Sequence, residues 1–334
     1  MDQRKEKNIG RAATASARMS GSWTSYLGAA HGVLTAAGMT DLDLAETAGM
    51  TGLAFHLVMH KQCDAAAVTV YDWPNRHQDA LDRIGILAEL YHYEPHWRTY
   101  EAARRRAKDN IQASIDRGIG VIAWAIDTGE FGVIYGYDDE DGVYLVDGVD
   151  KFNRPLGSDP LLYENIAKPF PPAPFLHYQI PLERTSYDPE RTYLESFKFY
   201  VHEMEKPFHM SADFYSGFLA YDCWIRALKE GAYRPFGLRY CLTVYAESKM
   251  FAAEYARKLA KTWGGLPGLN DAAGLFEEIA GQYSMMMKEV LEQDFDGAKH
   301  LGKPVPAAQA LKLVPFLEKA KHLEEQAVRI FKNA

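Results

Sequence analysis

Three kinds of side chain in this 334-residue sequence could do chemistry by type and spacing. Cys63 follows His60 closely, the proximity a thiol and its base would need, but no helix start accompanies it. The reading as a structural thiol therefore competes. Cys223 and Cys241 lie in apolar, helix-patterned stretches, where cysteine acts as a small hydrophobe. His56 and His60 are four apart, a metal-ligand spacing on a helix, yet their surroundings read as strand. His92, Glu94 and His96 do not match the H-E-x-x-H pattern, and with Tyr91, Tyr93 and Trp97 they form an aromatic segment fit for a core or a pocket wall. His31 shares a predicted helix with Ser25 but points from a different face. Arg104-Arg105-Arg106 is the only dense basic run, with Glu101 and Asp109 nearby. It reads as a solvated helix face before it reads as an anion site.

The elements that must position these residues fall into two sets. Leu27, Ala30, Leu34 and Ala37 repeat at helical spacing, so residues 23–37 are predicted helix with Gly38 as its stop. Thr40 has capping-box form and opens a second predicted helix that Gly49 and Gly52 end. Residues 53–59 and 66–71 read as strands. A helix is predicted from Asn75, carrying Leu81, Ile84 and Leu87, and another over 97–117, closed by Gly118. Three apolar runs, 120–126, 131–137 and 143–146, read as strands, with Asp138 to Gly142 as a polar hairpin loop. Helices followed by consecutive antiparallel strands give the α+β class. The prolines at 169, 171, 172, 174 and 181 mark residues 168–189 as an extended linker or wrapping arm, beyond which the pattern is helical. The expected domains are a flexible arm over 1–20, an α+β domain over 21–185 and an all-α domain over 186–334.

The segment from Ser25 through His31 and Gly32 to Gly38, the helix–Gly–strand passage from Ser114 through Gly118 to Trp124, and the strand pair from Phe131 to Asp139 and Val143 to Asp147 resemble the N-terminal domain of the butirosin-biosynthesis acyltransferase family. The stretch from Ser216 to Leu228 looks like the helical companion of that domain. The resemblance implies a papain-like fold, related to the C39 cysteine peptidases, in a bacterial protein. It implies catalytic Cys, His and Asp positions at Ser25, Glu130 and Asp147, so that the first two are replaced. A serine facing a carboxylate of ordinary pKa, about 4.3, is a weak nucleophile with a weak base. The resemblance thus implies a protein that has lost or altered the family's catalysis and binds a small amine or an acyl ligand, free or carried on an acyl-carrier protein. The alternatives are an active Ser25 amide hydrolase or acyltransferase, and an oligomeric scaffold built on the helical half.

Bulk properties narrow the partners. A net charge of −8 disfavours nucleic acid and anionic membrane surfaces. No run approaches 18 consecutive apolar residues, and the first 20 residues lack the apolar core of a signal peptide. An odd count of three cysteines suggests a reducing compartment, so a cytoplasmic location is expected. No cofactor and no metal is expected.

Overall fold

The computed structural model describes residues 6–7, 17–126, 129–149, 160–168, 175–205, 211–291 and 303–333. The chain divides into two compact units, one of residues up to Leu44 with Trp73–Tyr187, the other of Ala45–Asp72 with Asp188–Ala334. Residues 45–72, expected inside the first domain, thus belong to the second. Their burial explains why: Phe55 is fully buried against Phe197, Tyr200, Tyr255 and Phe276, all from the second unit's helices.

The elements follow in chain order. They are β1 (Glu6–Lys7), α1 (Ser25–Ala36), α2 (Leu44–Met50), β2 (Val58–His60), α3 (Trp73–Arg83), β3 (Ile86–Tyr93) and α4 (Tyr100–Asp116). Then come β4 (Val121–Trp124), β5 (Phe131–Asp138), β6 (Val143–Asp147), β7 (Leu161–Leu162), β8 (Leu176–Arg184) and α5 (Pro189–Glu205). The chain continues with β9 (Phe214–Ser216), α6 (Phe218–Glu230), α7 (Pro235–Thr262), α8 (Leu269–Leu291), α9 (Ala307–Leu311) and α10 (Val314–Asn333).

The first unit is an antiparallel sheet in the order β3-β8-β4-β5-β6-β7, with β1 also paired to β5. Alternation separates its two faces. Val121, Ala123, Ile134, Tyr178 and Ile180 turn one way, onto Ala107, Ile111 and Ile115 of α4. The residues between them, Phe131, His177 and Gln179, turn the other way and meet Tyr26 of α1 and His77 of α3. The stops at Gly38 and Gly118 are as the pattern predicted, and both glycines have positive φ, but β3 falls between α3 and α4, so the helices do not all precede the sheet. Residues 17–20, expected to lie in a flexible arm, are instead packed on α1. Gly28 and Gly32, one turn apart, let the backbone of Arg18 and Ser20 run across the helix where any Cβ would collide with it.

Four further expectations are corrected. Thr40 does not cap a helix: its hydroxyl accepts from Leu42 N–H at 3.2 Å, closing a local turn, and α2 begins only at Leu44. Residues 53–59 hold a 3-10 turn, Leu53–Phe55, before the short β2, and Ala65–Thr69 is a second 3-10 turn rather than a strand. Leu87 lies in β3, not in a helix, because α3 ends at Arg83. The expected linker contains β8, an inner strand. Pro181 fits there because it stands opposite Ala88 at an irregularity in the β3 pairing and beyond the residues that pair with β4. The prolines at 169, 171, 172 and 174 lie outside the described residues.

The second unit is helical, as expected from 186 onward, save for β9, which pairs antiparallel with β2. Tyr245 of α7 anchors β2 by donating to Val58 C=O at 2.5 Å and accepting from Val58 N–H at 3.2 Å. At its centre Lys249 and Glu324, 1% and 0% exposed, form an ion pair at 2.7 Å. Tyr200 and Tyr221 donate their hydroxyls to the same carboxylate. Burial, and then the Glu324 charge, raise the Tyr200 phenol pKa well above its ordinary value, so it stays a donor. Such a pair is held by its hydrogen bonds: three donors converge on the one carboxylate. Lys249→Met should strand the Glu324 carboxylate and cost about 3–5 kcal/mol, read as a lowered urea midpoint with an unchanged m-value.

Candidate functional site

The α1 N-terminus lies at the start of β5. Ser25, the first residue of α1, donates its hydroxyl proton to Glu130 Oε2 at 2.6 Å and accepts from Phe131 N–H at 3.1 Å. Ser25 is only 6% exposed, whereas Glu130 is partly buried. The positive end of the helix favours an ionised carboxylate at this place. The turn leading to Glu130 is tied by Ala125 N–H, which donates to Glu130 C=O at 2.9 Å, with Ala125 at φ +54°.

Asp147 accepts a backbone bond. It sits at the end of β6, and its Oδ2 accepts from Met19 N–H at 2.7 Å. Of the three residues that sequence reasoning named, Ser25 and Glu130 are in direct contact, and Asp147 holds the Met19 backbone. His31 is likewise committed. Its Nδ1 meets Ser20 Oγ at 2.6 Å and its Nε2 meets Leu42 C=O at 3.1 Å. Burial lowers its pKa in spite of the Leu42 bond.

The remaining candidates separate by environment. Cys63, Cys223 and Cys241 are buried free thiols, and burial raises all three pKa values, that of Cys223 to about 11. None has the thiolate character of a nucleophile. His60 Nδ1 accepts from Gln62 N–H at 3.1 Å, and His56 Nδ1 lies 3.6 Å from Glu203. Among the described residues, no group of three or more His, Cys, Asp or Glu side chains is arranged to hold a metal ion. Arg104 donates to the backbone carbonyls of Glu164 and Ile166 and pairs with Glu101, so it fixes a loop onto α4. Among the described residues, no helix is long and apolar enough to cross a membrane.

Sequence reasoning missed the polar core beside Ser25. Tyr26 donates to Gln179 Oε1 at 2.7 Å, and Gln179 Nε2 donates to the His77 carbonyl at 3.1 Å. The Tyr26 and His77 rings stack at 3.6 Å. His77 Nδ1 then meets His177 Nε2 at 2.9 Å, His177 Nδ1 meets His92 Nδ1 at 3.0 Å, and His92 Nε2 meets Glu94 Oε1 at 3.2 Å. Trp73, Trp124, Phe131 and Phe175 pack around this row. The available signal was alternation in 176–180, which sends His177 and Gln179 to one face, but the neighbouring prolines masked it.

No protein-family model matches the chain, and a search of curated proteins finds no match.

His177 has a direct consequence for acid stability. Burial, then the neighbouring His92, hold its pKa down at about 3. An unfolded imidazole titrates near 6.5. As pH falls below about 6.5 the unfolded chain takes up a proton that the folded chain refuses, so stability is full above that value. It is then lost by up to about 1.4 kcal/mol per pH unit down to the folded value. His77, whose pKa burial also lowers strongly, acts in the same direction. Urea unfolding at a series of pH values should show this acid limb, and His177→Gln should make it shallower.

Proposed function

We propose that the α+β unit is a papain-like domain whose catalytic pair has become a structural clasp, and that the protein binds a small amine or acyl ligand instead of cleaving an amide. The observation that carries this reading is the hydrogen bonding of the Ser25 hydroxyl. Its proton is directed at Glu130, one lone pair is taken by Phe131 N–H, and the group is 6% exposed. A serine nucleophile needs a strong base and an open approach to a carbonyl carbon. Here the base position carries a carboxylate, whose ordinary pKa near 4.3 suits it poorly to neutral-pH proton abstraction. The relation of a helix-start side chain to a strand-start side chain supports the papain-like register. An amine is favoured over an uncharged ligand by the partly buried Glu130 carboxylate and by the neighbouring aromatic rings, whose faces attract cations.

The 2.6 Å contact is also the distance a Ser–Glu pair would need to transfer a proton, which keeps the hydrolase reading in play. One measurement separates the two, and two more test the clasp and the papain-like register. A serine-directed fluorophosphonate probe should leave Ser25 unlabelled, and labelling abolished by Ser25→Ala would establish the hydrolase. Ser25→Ala should cost about 1–3 kcal/mol of stability, since it strips a partner from Phe131 N–H and from Glu130. The double variant Ser25→Cys with Glu130→His should be alkylated by iodoacetamide faster than Ser25→Cys alone. Equal rates would refute the papain-like register.

A further inference from the structure

Two hydrogen bonds of His31 fix where its proton lies. Leu42 C=O can only accept, so the contact at 3.1 Å makes Nε2 the N–H donor. In a neutral imidazole Nδ1 is then bare, and Ser20 Oγ, 2.6 Å away, must give its proton to it. Burial lowers the His31 pKa, so the ring is neutral at physiological pH. The result is a serine hydroxyl directed at an imidazole whose tautomer is set by a third group, the arrangement of an activated nucleophile. It differs from Ser25 in two respects. The acceptor is an imidazole, of ordinary pKa about 6.5, instead of a carboxylate. Ser20 and His31 are both partly exposed, whereas Ser25 is buried.

The fold holds the two residues in place. Ser20 N–H donates to Gly28 C=O at 3.0 Å, and Met19 N–H, just before it, is held by Asp147 at 2.7 Å. Gly28 and Gly32 leave room for that backbone, and His31 stands between them in sequence on α1. Leu42 lies beyond the helix end, and all of these residues belong to the first unit. The position after Ser20 is open. Gly21 is exposed, a Cβ there would meet nothing within 4 Å, and its N–H has no partner among the described residues. The N–H that follows a nucleophile can receive the developing oxyanion.

We infer that Ser20 is a nucleophile, with His31 as its base, that accepts an acyl group from an activated ester or thioester. Ser20 Oγ forms a bond to the acyl carbonyl carbon while its proton passes to His31 Nδ1. The carbonyl electron pair moves onto the oxygen, for which Gly21 N–H is the available donor. The pair then returns, the bond from carbon to the leaving oxygen or sulfur breaks, and the leaving group takes the proton from His31 Nδ1. The products are acyl-Ser20 and a free alcohol or thiol, with His31 neutral again. Water discharges the acyl group by the same path: its proton goes to His31 Nδ1 and from there to Ser20 Oγ. The Leu42 bond, which raises the His31 pKa against the effect of burial, favours the imidazolium that forms in each step. The site shares no residue with the Ser25–Glu130 contact, so it stands independently of the clasp.

The test uses the full-length protein and p-nitrophenyl acetate at neutral pH. Nitrophenolate release should exceed the solvent rate, and peptide mapping after an acid quench should place the acetyl group on Ser20. Ser20→Ala should lose both. His31→Gln keeps an N–H for Leu42 and an acceptor for Ser20 but supplies no base. It should retain the native circular dichroism spectrum while the rate falls about 10²-fold. The new thiol of Ser20→Cys should react with iodoacetamide faster than the same thiol in Ser20→Cys with His31→Gln. That pair tests the base even if Ser20→Ala unsettles the segment packed on α1. Acetyl on Ser25 in place of Ser20, acetyl on lysines only, release at the solvent rate, an unchanged rate in Ser20→Ala, or equal alkylation rates would each overturn the site.

Discussion

The insertion of β8 between β3 and β4 organises the first unit. Without it, β3 would have no partner in the sheet, and α1 and α3 would share no continuous surface. Its alternation does two jobs at once. Leu176, Tyr178 and Ile180 complete the apolar core under α4, while His177 and Gln179 supply polar groups to the opposite face. A shift of one residue would exchange these sets, driving an imidazole and an amide into the aliphatic layer. The strand is therefore pinned from both sides by groups that cannot trade places.

Both units bury polar groups at their centres and hold them with specific hydrogen bonds. In the first unit Ser25, Tyr26, His31 and Gln179 each bond to a named partner. In the second, Lys249 and two tyrosines converge on Glu324. The cost of an unpaired polar group in a low-dielectric interior makes such arrangements specific: a competing packing leaves at least one group without a partner. Ser25 takes part in the same pattern, its hydroxyl joining a helix start to a strand start through Glu130 and Phe131.

What the sequence made legible follows from the kind of signal each element carried. The helix α1 and the strands β4 to β6 were readable because apolar runs were bounded by glycines whose positive φ ends or turns the chain. The strand β3 was not, because Tyr91 and Tyr93 pack into the core beneath one face while Ile86 and Ala88 are buried on the other, which blurs the two-residue period. The strand β8 was hidden by proline density in front of it, although the single proline inside it sits where no ladder bond is needed. At the site, Ser25 and Glu130 were found through the resemblance. His77 and His177 are 100 residues apart and meet only because the sheet order departs from chain order. No local pattern encodes that meeting.

The interleaving of the two units has a consequence for how the chain must be made. Residues 45–72 leave the ribosome between two parts of the first unit, yet their partners lie beyond residue 188. Leu53, Phe55, Leu57 and Met59, all buried in the finished protein, therefore wait through the synthesis of more than a third of the polypeptide before α5 and α7 exist to cover them. During that interval the segment is an uncovered apolar loop on a nascent chain, the kind of surface to which chaperones bind and through which chains aggregate. A fragment cut after residue 187 would keep that state permanently, so expression of the sheet unit by itself calls for excising the loop as well as truncating the helices.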